Sequence, residues 1–275
     1  MTGKLIKYEF RSILKTMGLV WVALMVLAAF AGLFDVINQR QPYRSFESVA
    51  NMFSFITNFL YISIFVALIA VTCVVILMRF YKGLLRDEGY LMHTLPVKTW
   101  QLITAKGVVA ALTSLISILV ALLSIMVLMA FNGGFREFGE FMRVLMGTLG
   151  DNPEYIPVAL EAVLLGICEL LSSIYVAYAA MSIGQLGQKH RIALSVGAWI
   201  GINVLLLVLM TLIGNVTFSS SVATWLEETV DGIIQNSPVR AANLGLWFFI
   251  LIDAVQIAIF HVVSDQILRR KLNLE

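Results

Sequence analysis

Three acidic side chains fall inside long apolar stretches of this chain: Glu161 and Glu169 in one, Asp253 in another. A charged group at the centre of a bilayer costs about 2.5–3.5 kcal/mol on insertion scales, so acids kept there mark proton relays, cargo contacts or hydrogen bonds between helices. Glu161 lies near the outer end of its stretch, where it can reach water. Glu169 and Asp253 lie deeper and suit an interior cavity or a subunit interface. A proton-coupled carrier would use this deeper pair. A protonated carboxyl bonded to Ser or Thr of a neighbouring helix fits the same pattern.

Other chemistry finds no residues to carry it. No GxxxxGK[ST] string occurs; the nearest, Gly184–His190, has the wrong spacing and lacks Lys followed by Ser or Thr, so no P-loop for ATP is present. HExxH is absent, Glu227-Glu228 has no arginine a turn later, and His261 stands alone near the inner end of the last apolar stretch, where packing is the simpler role. Cys73 and Cys168 both sit in apolar runs and read as small buried apolar residues, and no Cys/His cluster has metal-ligand spacing. These patterns assign the chain no catalytic residue, no metal site and no cofactor of its own. A formal net charge of +2 makes no case for a nucleic-acid partner.

The elements around these residues belong to lipid. The chain is 60% hydrophobic and 13% charged, against about 25% charged in a soluble domain. A helix needs roughly 20 mostly apolar residues to span a bilayer. Six stretches qualify: 17–37, 53–78, 107–131, 156–183, 192–215 and 244–263. The spacing predicts an all-α polytopic membrane protein, one domain over residues 1–275. With the N-terminus inside, the inner segments hold fourteen Lys and Arg and the outer loops five, which places both termini in the cytoplasm. Residues 1–16 are basic with one apolar face (Leu5, Ile13, Leu14) and read as a retained interfacial helix rather than a signal peptide. In the third and last loops, Phe135, Phe138, Met142, Leu145, Leu149 and Val222, Trp225, Leu226, Val230, Ile233 recur at helical spacing. Both loops predict amphipathic helices at the outer interface or folded back onto the bundle. Gly197 and Gly201 form a GxxxG whose expected partner is another span, with a second copy of the chain as the alternative.

The inner segment 79–106 crowds basic, acidic and aromatic residues together. Pro96 stops one helix and starts the next, and Gly89 breaks the chain before it. Tyr90, Leu91 and Met92 beside Asp87, Glu88 and His93 suit a docking knob, apolar contact with a charged rim. A solvated loop serving only the positive-inside bias leaves the exposed Tyr-Leu-Met unexplained.

The run RDEGYLMHTLPVKTWQLITAK resembles the loop between the second and third spans of type-2 ABC transporter permeases. Asp87, Glu88, Gly89, Tyr90, Leu91, Thr94, Leu95, Pro96, Val97 and Lys106 stand where that pattern has them, and Lys98 replaces the usual Ser. The resemblance covers the whole chain in layout but is specific only over Arg86–Lys106 and, more weakly, Gln185–Arg191. It implies a permease subunit, an exporter of peptide, drug or lipid-like cargo in a bacterial cytoplasmic membrane. Such a subunit pairs with a second permease, identical or related, and with a separate ATP-binding cassette subunit that holds the ATP and magnesium. Arg86, Asp87, Glu88, Gly89, Tyr90, Leu91, Met92, His93 and Thr94, with Gln185, Gln188 and Lys189 of the second inner loop, would then contact the ATPase. A proton-coupled secondary transporter using Glu169 and Asp253 is the alternative, and a non-transporting membrane sensor or immunity protein a third.

Overall fold

The computed structural model describes residues 2–39, 47–85, 98–131, 133–187, 190–218 and 237–270. Among them, regular structure is helical throughout: α1 (Thr2–Gln39), α2 (Glu47–Phe80), α3 (Thr99–Phe131), α4 (Phe135–Asp151), α5 (Tyr155–Gly184), α6 (Arg191–Phe218) and α7 (Pro238–Arg270), with a five-residue π-helical turn at Tyr81–Leu85 closing α2. Six of these helices, all but α4, are long and apolar enough to cross a membrane. This is an all-α polytopic membrane protein. In lipid a helix satisfies its own backbone polar groups, which is why each apolar run takes this form.

The N-terminal end differs from the sequence expectation. Residues 1–16 and the first span are one unbroken helix, because nothing between Lys15 and Val20 interrupts the backbone ladder, and Ile13 and Met17 are buried in the same core as Trp21 and Leu24. The described ends of the inner segment follow the expectation of a helical extension and a helix running into the third span: α2 and its π turn run to Leu85, and α3 runs from Thr99. The start of α3 is capped: Gln101 N–H donates to Lys98 O (2.9 Å), and the Gln101 side-chain oxygen accepts from Lys98 N–H (3.4 Å), one arm of a capping box. The predicted helix over 222–234 lies outside the described residues. At 33 residues, α3 is about 50 Å long, more than the roughly 30 Å hydrocarbon core; its ends therefore project beyond the hydrocarbon.

The chain divides into two compact units, one of residues 1–79 and 108–148, the other of 80–107 and 149–275. In the first, α1, α2 and the body of α3 run up, down and up. Arg79 meets Glu9 at 3.9 Å at one end of the α1–α2 pair, and Asn58 donates to both oxygens of Asp35 (3.1 and 3.3 Å) towards the other. Trp21 Nε1 donates to Ser117 Oγ (3.0 Å), which lies 3.1 Å from Thr72 Oγ1. Ser124 donates to Ala121 O, so its oxygen is free to accept from the Tyr61 hydroxyl at 3.0 Å. Gly32 lets α1 approach α3: a Cβ there would lie 2.5 Å from the Phe131 ring.

Lipid offers helices no hydrophobic reason to associate, so these polar contacts and close packing hold the three together. Replacing Ser117 with Ala removes the acceptor of the buried Trp21 N–H; the expected loss is about 0.6–1.7 kcal/mol, read as a lower unfolding midpoint in detergent. Trp21→Phe in the same background should restore most of it, since no donor is then left unsatisfied.

Candidate functional site

The second unit begins where the inner segment begins. Residues 80–107 cluster with α5–α7 rather than with the bodies of the two helices they join. Three aromatic side chains do this. Phe80, the last residue of α2, stacks on Tyr178 of α5 with ring centroids 3.9 Å apart and planes 15° from parallel; both are fully buried. Tyr175, one turn earlier on α5, stands edge-on to Tyr178 and reaches the start of α3. Gly107 makes that approach possible, since a Cβ there would lie 2.6 Å from the Tyr175 hydroxyl oxygen and 2.9 Å from its ring. The Tyr178 hydroxyl points to Lys106 O at 3.4 Å.

The start of α3 is also tied to α7. Thr104 Oγ1 lies 3.1 Å from His261 Nε2. The single Thr104 hydroxyl proton goes to Trp100 O (2.8 Å), so Thr104 accepts and His261 carries its proton on Nε2. His261 packs edge-on to Tyr175 at 5.5 Å. It is a packed, hydrogen-bonded side chain, in keeping with the packing role its sequence position suggested. Leu84, Leu85, Leu102, Ile103 and Lys106 are buried around the cluster. Both flanks of residues 86–97 are therefore fastened to the same ends of α5 and α7.

The second inner turn is equally tight. A Cβ on Gly184 would lie 2.6 Å from Ser195 N and 2.7 Å from its Cα, so only glycine lets α6 turn back so closely on α5. Gln185 follows with its N–H on Ser182 O (3.2 Å), and its side-chain Nε2 is buried rather than displayed, with no partner among the described residues.

Along the membrane-spanning part, α5 and α7 lie side by side and parallel. Trp247 Nε1 donates to Glu161 Oε1 (2.9 Å), Ser172 Oγ to Gln256 Oε1 (3.0 Å), and Tyr175 meets His261. Each pair is separated in sequence by 84–86 residues, a constant offset that holds one register along both helices. Asp253 falls in that register beside Glu169, 84 residues apart like Ser172 and Gln256. No hydrogen bond ties either to a described residue. Glu169 is exposed and Asp253 half-buried, so the described residues enclose neither in an interior cavity.

Of the predicted site residues, the structure brings Glu161, Glu169 and Asp253 onto one α5–α7 seam. Arg86, Asp87, Glu88, Gly89, Tyr90, Leu91, Met92, His93, Thr94, Gln188 and Lys189 lie outside the described residues. Among the described residues a Cβ on Gly197 or Gly201 meets nothing within 4 Å. The residues that sequence reasoning missed are Phe80, Gly107, Tyr175, Tyr178 and Trp247. Their only signal is a Tyr pair three residues apart at the inner end of a span.

No protein-family model matches the chain, and neither curated proteins nor solved structures yield a match. The class the fold defines is an all-α polytopic membrane protein with six membrane-spanning helices, in which residues 80–85 and 99–107 pack against two of them.

Tyr178→Phe should leave the stack intact and cost under about 1.5 kcal/mol, whereas Tyr178→Ala should cost about 3–5 kcal/mol. Gly107→Val should resemble the second, by displacing Tyr175. Unfolding midpoints and protease sensitivity around residues 80–107 check the order; equal effects of Phe and Ala at position 178 would contradict the stack.

Proposed function

We propose that this chain is the membrane-spanning permease subunit of an ATP-driven ABC transporter of a bacterial cytoplasmic membrane, an exporter of peptide, drug or lipid-like cargo. A separate ATP-binding subunit, carrying the ATP and magnesium, docks on the 79–106 segment, and a second permease completes the pathway. The observation that carries this reading is the fastening of both flanks of residues 86–97, at Phe80 and at Thr104–Gly107, to the inner ends of α5 and α7. A loop that served only to bias charge needs no such anchoring. A loop that receives force does, because a push on it must reach the spans without being absorbed in side-chain rearrangement. The resemblance of Arg86–Lys106 to the coupling loop of type-2 permeases and the absence of a P-loop in the sequence support the same assignment.

In this mechanism, closure of two ATP-bound partner subunits displaces residues 86–97. Their rigid flanks carry the displacement to α5 and α7 together, and the pathway switches the side to which it opens. The experiment is co-purification with an ATP-binding cassette protein, sought first in the adjacent reading frame, before and after changing Glu88, Tyr90 and Leu91 to Ala. Loss of assembly by about tenfold or more, equivalent to some 1.4 kcal/mol, is expected. Unchanged assembly together with unchanged ATPase stimulation would sink the docking proposal.

The neighbouring carboxylates of Glu169 and Asp253 favour a second reading, a proton-coupled secondary transporter. Two carboxyl groups in one register along a pair of spans are the residues such a carrier would use to pass a proton. Transport that persists without ATP, collapses with the proton gradient and is abolished by Glu169→Gln would favour this reading. Glu169→Gln without effect on transport clears that residue of a proton role.

A further inference from the structure

The described helix that is not long and apolar enough to cross the membrane, α4, presents an apolar face that no described residue covers. It has 17 residues, none of them buried. At 3.6 residues per turn, Phe135, Phe138, Met142, Leu145, Met146 and Leu149 fall within one arc of about 100°. Arg136, Glu137, Glu140, Arg143, Thr148 and Asp151 occupy the opposite side, where Arg136 and Glu140 pair at 3.5 Å. Phe135 and Met146 are 52% and 64% exposed.

The connections decide what meets this face. Three residues separate α4 from the end of α3, and three separate it from the start of α5. Gly133, at φ 76°, and the bond from Phe138 N–H to Gly134 O (2.9 Å) make the first turn; Tyr155 N–H to Asn152 O (3.1 Å) makes the second. Three residues reach at most about 10 Å. Both neighbours are membrane-spanning helices, so α4 is held within that distance of two span ends. An amphipathic helix held there has the headgroup–acyl boundary as the neighbour of its apolar side.

We infer that α4 lies in the plane of the membrane with the Phe138–Met142–Leu145 side embedded among phospholipid acyl chains. The helix carries two arginines and three acids, which gives it no basic excess to draw anionic lipid. Its partner is therefore a neutral, zwitterionic phospholipid surface, bound through apolar area alone. It anchors the far ends of α3 and α5 at a fixed depth. This inference rests on the six membrane spans and not on the ATPase reading, so either can fail alone.

The test is a nitroxide scan of α4 in the full chain, with Cys73 and Cys168 replaced by Ala, reconstituted in phosphatidylcholine vesicles. All labelled positions are surface residues, so insertion of the protein is unaffected. The collision rate with oxygen relative to that with a water-soluble nickel chelate should oscillate with the helical period. It should be several-fold higher at Phe138, Met142 and Leu145 than at Glu137, Glu140 and Arg143. A flat profile means a solvated helix and overturns the inference. Low collision with both reagents at the apolar positions means that protein, this chain folded back or a second copy, covers them, and overturns it equally. Deeper insertion on adding phosphatidylglycerol would contradict the neutral-surface assignment.

Discussion

The stack of Phe80 on Tyr178 is the interaction on which the rest depends. It joins the end of the second span to the inner end of the fourth, 98 residues away, by two rings in face contact. A stacked aromatic pair is worth only about 0.5–1.5 kcal/mol beyond its area. Its importance lies in what it aligns. With Phe80 held, Tyr175 falls against Gly107, Thr104 meets His261, and the two ends of the inner segment share one support. Without it, residues 80–85 would have only α2 to follow, and the π turn at Tyr81–Leu85 would lose the buried environment of Leu84 and Leu85.

The α5–α7 pair supplies the support, and its cohesion is polar. Between helices in lipid a buried hydrogen bond contributes about 0.6 kcal/mol on average, so no single rung holds the pair. Their common offset does more than their sum. A slide of one helix by a turn would break Glu161–Trp247, Ser172–Gln256 and Tyr175–His261 together. The pair therefore moves as one body or not at all, which is the property a lever needs. Glu169 and Asp253 occupy the same seam with no hydrogen bond to a described residue, and Glu161 Oε2 is buried there without a hydrogen-bond partner among the described residues.

The six spans were legible in the sequence because nothing but a helix can bury twenty apolar residues in lipid. α4 was legible from its three-to-four spacing for the same kind of reason. The continuity of α1 was not, because a basic face beside a span looks the same whether or not the helix bends between them; Ile13 and Met17 in one core decide it. The partner of the GxxxG is not legible, because small residues permit a close approach without specifying by what, and no described residue comes within 4 Å of a Cβ placed on Gly197 or Gly201. Glu161, Glu169 and Asp253 were singled out individually as costly in lipid, while their common seam depends on the parallel course of α5 and α7, which no single-chain periodicity reports. The aromatic clamp was the least visible. Phe80, Tyr175 and Tyr178 are ordinary residues for span ends, and only tertiary contact distinguishes them.

The central claim is that the flanks of the inner segment and the inner ends of α5 and α7 are one rigid body. It is tested most directly by the distance between spin labels at Lys98 and Leu186, both at exposed or turn positions of that body, in the lipid-reconstituted protein. The account predicts a single narrow distance distribution, unchanged when the proposed ATP-binding partner and then ATP are added. A broad distribution in the chain alone, or a shift of the Lys98–Leu186 distance on ATP addition, would contradict it.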